Sequence, residues 1–358
     1  MRFLFLNQYF PPDPAPTGIL LCELAAQLVA QGHEVEFVDS RQNYRTGKKD
    51  ERRAIREMRG LLTILWRGIR AKKRPDVVIS ATSPPLLLFV ATLVAMRFRA
   101  KSAHWLFDMY PELALALGEI RDGWFSHFVE SLMRWSYRRT NVLVALDDDM
   151  RERLKKYGVE SEAIAPWVFA SLLKSSAFHR KNSAFYWFYS GNLGRAHDWR
   201  TLLEAQALLE KRGTPWRLVF QGGGPSWLPV QERAKELGLK NCEWKSYVPE
   251  NELRDSLLVA DVLAVTQKPE TQGLLWPSKL ALVTTLPRRI LWIGPTDGAI
   301  ARDLRRLPQA GIFAPGESEK VADWLQNAPP AAPVVSDPAT VREAALEKWR
   351  ALLTGCRD

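Results

Sequence analysis

The stretch "FYWFYSGNLGRAHDWRTLLEAQALLEKRG", residues 185–213, decides how the chain is organised. Its first seven residues are an apolar, aromatic run of strand type. A polar, glycine-bearing loop follows, and "WRTLLEAQALLEKRG" then has helical periodicity and stops at Gly213. The same order appears at the N-terminus, where "RFLFLNQYF" leads through a polar loop to "GILLCELAAQLVAQGH" and the strand "EVEFVDS". A strand–loop–helix unit that starts again after 180 residues predicts two α/β domains, each built on a parallel sheet.

Working outward, "PDVVISA" (75–81), "AHWLFDMY" (103–110) and "NVLVALDD" (141–148) read as further strands of the first half. "WRLVFQGGG", "CEWKSYV" and "DVLAVTQ" continue the second, separated by the helical "PVQERAKELG" and "NELRDSLLVA". Periodicity lapses over 166–182, so the boundary is expected there, giving domains 1–170 and 183–330. A proline-rich connector (327–339) precedes a last helix, 338–355, able to pack back on the N-terminal domain. Tandem Rossmann-like domains bind ligands outside the carboxyl ends of their strands, in the cleft between them, so the loops directly after strands matter most.

With 358 residues, 46% apolar and 25% charged, the composition is that of a soluble globular protein. Cys22, Cys242 and Cys356 are too widely spaced for a metal site or a disulfide framework, which fits a reducing cytoplasm. The N-terminal apolar run is too short for a signal peptide, and the longest apolar run, Leu86 to Met96, falls short of the ~18 residues that span a bilayer.

The net charge of +10 is local in origin, with twelve Lys/Arg against three acids from Arg45 to Arg74. Ile55, Met58, Leu61, Leu62, Leu65 and Ile69 recur there at helical spacing. The segment reads either as an ordinary surface helix or as a basic amphipathic helix for an anionic membrane. No nucleic-acid module accompanies the charge, so nucleic acid is not expected as a partner.

Among the loops, "YSGNLGRAHDW" (189–199) offers Gly191 and Gly194 for close backbone approach and Arg195 for a phosphate fork. An ordinary strand–helix turn explains the spacing as well. "FQGGGPSW" (220–227) is a second glycine loop, readable as a bare-backbone ligand surface or a tight turn. "ALDDDMRERL" (145–154) reads as a helix start with an aspartate cap rather than a divalent-metal site. Asp108 stands near the end of a strand, where it could orient or deprotonate a hydroxyl, whereas His104 lies inside the strand as a core histidine. No Ser/His/Asp or Cys/His arrangement supports nucleophilic hydrolysis.

Taken in order, "YFPPDPAPTGILLCELAAQLVAQGHEV", "ISATSPPLLL", "FDMYPELALALG", "YSGNLGRAHDW", "FQGGGP" and "ETQGLLWPSKL…ILWIGPTDGAIARDL" resemble the bacterial family-4 glycosyltransferases of the GT-B fold. The branch that they resemble serves colanic acid and O-antigen biosynthesis. The resemblance implies two Rossmann-like domains whose parallel sheets face a central cleft. It also implies a retaining, metal-independent hexosyltransferase without cofactor, using a nucleotide sugar, with UDP preferred over GDP.

In that family the donor binds mainly to the second domain and the acceptor to the first. Here the acceptor would be a saccharide, polyprenyl-diphosphate-linked, handled by a cytoplasmic enzyme peripheral to the inner membrane. Position by position, Arg195 and Lys279 resemble the cationic pair on the diphosphate, and Glu270 the first acid of a Glu-x7-Glu element beside the donor sugar. Gly194, Asn192 and the amides near Gly273 and Leu274 correspond to the phosphate side. Gly223, Gly224, Tyr247 and Val248 correspond to the nucleoside side, and Thr17 and Gly18 to a first-domain loop that approaches the diphosphate.

The chain also departs from the family's pattern. Ser278 stands where the second, ribose-binding acid belongs, and Leu282 holds that place in the other register. Gln272, Pro287 and Ala299 replace an acid, a glycine and an acid. These departures favour, as an alternative, a non-catalytic subunit at the membrane; a GT-B nucleotide-sugar epimerase or a phosphorylase, acting without a lipid partner, is another.

Overall fold

The computed structural model describes residues 1–13, 15–42, 53–173, 185–327 and 337–355. Residues 45–52 of the basic segment, 174–182 of the expected boundary, the connector 328–336 and Cys356 lie outside the described residues. The chain divides into two units. One comprises Met1–Pro166, Gly273–Trp276 and Arg342–Asp358; the other comprises Trp167–Gln272 and Pro277–Val341.

The first unit is built on strands β1 (Arg2–Leu6), β2 (Glu34–Val38), β3 (Val77–Ser80), β4 (Lys101–Trp105), β5 (Val142–Ala145) and β6 (Glu162–Ala163). They form one parallel sheet in the order β2-β1-β3-β4-β5-β6. Helices α1 (Pro16–Ala30), α2 (Arg53–Ile69), α3 (Leu87–Phe98), α4 (Glu112–Ala116), α5 (Trp124–Tyr137) and α6 (Asp148–Lys155) connect the strands. Strand β4 ends at Trp105, so Asp108 falls in the loop beyond the strand, on the side where ligands bind to such sheets. α1 opens on Pro16, whose fixed φ suits a first helical position, and closes at Gly32, where φ is +81°. Asp147 caps α6 by accepting a hydrogen bond from the Met150 amide at 2.8 Å, as the dipole argument for that acidic run requires.

Helix α2 carries its apolar residues differently from the stripe expected of it. Leu61 and Ile64 are buried against Leu4, Leu6, Val78 and Val90, with Leu65 at the edge of that cluster. Ile55, Met58, Leu62, Trp66 and Ile69 stay exposed. Two apolar faces therefore share one helix, and the sequence stripe mixed members of both.

The second unit has strands β7 (Phe185–Asn192), β8 (Trp216–Gly223), β9 (Cys242–Lys245), β10 (Val262–Thr266), β11 (Arg289–Ile293) and β12 (Ala310–Phe313). Their order is β12-β11-β10-β7-β8-β9, again parallel throughout. Its helices are α7 (Arg200–Lys211), α8 (Trp227–Glu236), α9 (Glu250–Leu258), α10 (Lys279–Val283), α11 (Ala299–Leu304) and α12 (Ser318–Asn327). Trp187, Leu203, Leu218, Phe220, Val262 and Leu291 lie at the centre of its core. The buried Trp187 indole donates to Gln206 at 2.8 Å, and Gln206 donates on to the Trp216 carbonyl at 3.1 Å, so this polar chain is satisfied.

The last helix, α13 (Pro338–Thr354), belongs to the first unit from Arg342 onward. Arg342 donates to Glu23 at 2.8 Å, and Trp349 packs edge-on against Trp105 with ring centroids 5.2 Å apart. Trp349 is fully buried, yet its indole N–H has no partner among the described residues. Trp349→Ala should therefore cost about 3–5 kcal/mol in urea unfolding, whereas Trp349→Phe, which removes an unsatisfied donor and keeps a ring, should cost well under half of that.

Candidate functional site

In the second unit the strand ends converge on a small polar site. β7 and β8 stay paired beyond their apolar parts, in register Gly191 with Gly222 and Asn192 with Gly223. The Leu193 amide donates to the Gly223 carbonyl at 2.7 Å, and the Ser226 amide to the Leu193 carbonyl at 3.1 Å. The two glycine loops are thus one fastened pair. A Cβ at Gly222 would lie 2.2 Å from the Gly191 carbonyl oxygen, and one at Gly224 would lie 2.3 Å from Asn192 Oδ1. Both also have φ near +130°, at +136° and +126°, so these glycines are required by mutual backbone approach, with or without a ligand. Gly223 faces Tyr247, whose ring edge would be 3.1 Å from a Cβ there. Tyr247 is exposed and Val248 half-buried.

Lys279, the first residue of α10, reaches back beneath this pair. Its ammonium lies 3.4 Å from the centroid of the buried Tyr189 ring and 3.8 Å from the position of a Cβ on Gly191. The stem is partly accessible, but the Nζ atom is buried without a hydrogen-bond partner among the described residues. Desolvation holds its pKa well below the ordinary lysine value. A ring face offers an ammonium on the order of 1–2 kcal/mol, which does not replace the lost hydration. The sequence reading had the residue but not its unpartnered state.

Arg195 is exposed on the loop above, and Gly194 lies beside His197. Burial and the neighbouring Lys279 push the His197 pKa down to about 3, so the ring is neutral. His197 Nδ1 is 2.7 Å from the Thr266 carbonyl, which can only accept, so Nδ1 carries the proton. Sequence reasoning passed over His197; its position two residues after Arg195 was the available signal.

Glu270 is exposed in a single 3-10 turn, Pro269–Thr271, directly after β10. That turn is fixed by Gln267, which donates to the Thr271 carbonyl, and by Thr271, which donates to the Lys268 carbonyl. Ser278 is exposed and precedes α10 without a side-chain capping bond.

Gly273 and Leu274 are grouped with the first unit. The Leu274 carbonyl accepts from the Met109 amide at 2.8 Å, the Leu274 side chain is buried, and a Cβ on Gly273 would lie 2.9 Å from the Asp149 backbone. Asp108 is half-buried in the same neighbourhood, bridged to Leu275, with its amide 3.4 Å from Thr82 Oγ1. At the start of α1, Thr17 Oγ1 lies 3.4 Å from Asn7 Nδ2, and Gly18 fits because a Cβ would lie 2.4 Å from the Tyr9 carbonyl oxygen. His104 is buried, bonded to Ser80 Oγ at 2.8 Å, and pushed down to about pKa 3 by burial, as a core histidine is. Among the described residues there is no cluster of three or more His, Cys, Asp and Glu side chains suited to a metal ion.

Comparison with known proteins places these features in a family. Residues 18–167 match the Glycosyl transferase 4-like domain, and residues 174–275 match Glycosyl transferases group 1. A curated relative, the probable glycosyltransferase WbjE of Pseudomonas aeruginosa, is 25% identical over 243 residues. That match covers 64% of this chain and 60% of the relative, so the chain spans about 60% of the relative's length.

Among solved structures, HepE of Anabaena in complex with UDP and glucose matches with TM-score 0.68 and 14% identity, over 99% of this chain and 100% of that one. The lipopolysaccharide outer core galactosyltransferase WaaB, in its apo form, matches with TM-score 0.66 and 12% identity, over 99% of both chains. The two domain matches run in tandem along two six-stranded parallel sheets, and the chain belongs to the glycosyltransferases of the GT-B fold.

Proposed function

We propose that the protein transfers a hexosyl group from a nucleoside-diphosphate sugar, UDP-linked in preference to GDP-linked, to a saccharide acceptor, with retention and without a metal. The observation that carries this reading is the buried Lys279 ammonium at the strand ends of the second unit, which has no hydrogen-bond partner among the described residues. An uncompensated cation there is costly unless an anion completes it, and a diphosphate is the anion of the reaction class. Arg195 supplies the second cation. Support also comes from HepE, described in complexes with UDP and with UDP-glucose.

In the proposed step the bond from the sugar's anomeric carbon to the diphosphate oxygen breaks. The acceptor oxygen bonds to that carbon on the same face. The acceptor proton passes to the departing phosphate, whose charge Lys279 and Arg195 neutralise. Glu270 orients the donor sugar, and Asp108, beyond β4, serves the acceptor. Gly194, Asn192, Gly273, Leu274 and Ser278 attend the phosphates and sugar, Gly223, Gly224, Tyr247 and Val248 the nucleoside, and Thr17 and Gly18 are proposed for the diphosphate.

The name of WaaB, a lipopolysaccharide outer core galactosyltransferase, supports a role in lipopolysaccharide or other cell-surface polysaccharide biosynthesis. A lipid-linked acceptor at the inner face of the cytoplasmic membrane fits that role. Among the described residues no helix is long and apolar enough to cross a membrane. Helix α2 instead exposes Ile55, Met58, Leu62, Trp66 and Ile69, each 37–57% accessible, and also exposes Arg59 and Arg70. α5 packs on the same neighbour, α3, and exposes Trp124, Phe125 and Phe128. Exposed apolar side chains accompanied by arginine suit an anionic lipid surface.

Two measurements test this reading. Lys279→Met should weaken UDP binding by at least about 10-fold and reduce turnover by about 10²–10³-fold, while thermal stability is kept or raised. The sign of the pH effect is fixed by the lowered pKa. Between that value and 10.5 the unfolded chain holds the lysine proton more tightly, so wild-type stability rises with pH across the window and the variant lacks that slope. Equal UDP affinity in both proteins would remove Lys279 from the site. For the membrane, Met58→Ser, Leu62→Ser and Trp66→Ser combined should lower partitioning onto phosphatidylglycerol vesicles by at least about 10-fold at unchanged UDP affinity. Undiminished partitioning would exclude that face.

A further inference from the structure

The loop that carries Arg195 is held at both ends, and at its far end one side chain shares the hold with a backbone bond. At its start, Leu193 is fastened to the β8 loop through the Gly223 and Ser226 bonds. At its far end, the Lys268 amide donates to the Ala196 carbonyl at 2.8 Å, and His197 Nδ1 donates to the Thr266 carbonyl at 2.7 Å. Arg195 lies between these anchors. The His197 ring also meets the Tyr189 ring edge-on, with centroids 5.7 Å apart and planes at 73°. Tyr189 is the ring on which the Lys279 ammonium rests, and its hydroxyl donates to the Asn192 carbonyl at 3.1 Å. One imidazole therefore touches the supports of both cations, reaching Arg195 through the loop and Lys279 through the Tyr189 ring.

We infer that His197 is a positioning residue for the nucleoside-diphosphate site: its Nδ1–H bond to the Thr266 carbonyl sets the Arg195 loop, and its ring edge holds Tyr189 beneath Lys279. The inference rests on the reading of Lys279 and Arg195 as the diphosphate pair. A neutral ring suits the role. With its proton committed to a carbonyl, His197 fixes geometry without adding a third positive charge beside Lys279. An imidazolium there would repel the ammonium that it helps to place. The depressed pKa keeps it neutral throughout the physiological range.

Two amide replacements separate the ring's nitrogens. In His197→Asn the side-chain amide nitrogen stands where Nδ1 was and can keep the bond to Thr266. In His197→Gln it stands nearer to Nε2 and cannot. Affinities for UDP, UMP, GDP and GMP are measured by calorimetry on the full chain, with melting temperatures alongside. His197→Ala and His197→Gln should weaken diphosphate binding by about 10–100-fold, while His197→Asn, which keeps the bond but loses the ring contact, should lose about 10-fold less than either. The preference for diphosphate over monophosphate should shrink in the same order, which general loosening of the fold would not produce.

Wild-type affinity in His197→Ala would overturn the inference. So would rescue by Gln and not by Asn, which would put Nε2 on the ligand. Should His197→Ala fail to fold, the Asn and Gln pair decides alone. Lys279→Met serves as the control. If it loses UDP while His197→Ala and His197→Gln keep it, only the positioning role falls. If wild type binds no nucleoside diphosphate, the reading of the site falls with it.

Discussion

A parallel sheet covered on both faces leaves no room for polar chemistry along its strands, so the chemistry collects where the strands end. The second unit meets this constraint with a buried cation. Beside Lys279 lie Gly191 and the face of Tyr189, while the Thr266 carbonyl is taken up by His197. None of these neutralises an ammonium. The glycine pairing, the histidine tether and the aromatic floor make a seat around an amine that has no hydrogen-bond partner among the described residues. Stability conceded at such a point is a common mark of a binding site.

The same constraint explains what was legible in the sequence. Strand–helix alternation is written in local periodicity, so the two α/β halves and the post-strand position of the "YSGNLGR" loop could be read directly. Short strands without that contrast, such as Glu162–Ala163, Arg289–Ile293 and Ala310–Phe313, were not picked out, because each is recognised only by its pairing with a neighbour. The helix after Gln42 shows the limit of periodicity most clearly. Its apolar residues satisfy 3.6-residue spacing on two overlapping faces, and only the burial of Ile64 and the exposure of Leu62 and Trp66 tell which face meets the core.

Residues whose roles depend on distant partners were the least legible. His197 takes its meaning from a carbonyl 69 positions later, and Lys279 from a ring 90 positions earlier. Gly18 and Gly224 matched a family pattern, but the physical reason for each is an oxygen 2.4 or 2.3 Å from where a Cβ would be. Motif reading found these positions correctly and could not say which force kept them there.

The path of the chain sets a limit on how such proteins can be recombined. Gly273–Trp276 and the helix from Arg342 onward are grouped with the first unit, although both follow most of the second in sequence. The Leu274 carbonyl and the Trp349 ring meet Met109 and Trp105, residues encoded far upstream. A hybrid made by joining one relative's first half to another's second at a single seam would import foreign pieces of the first unit's interior along with the new second unit. Exchange of the second unit between such chains therefore calls for several seams, with the short 273–276 segment and the final helix retained by the host.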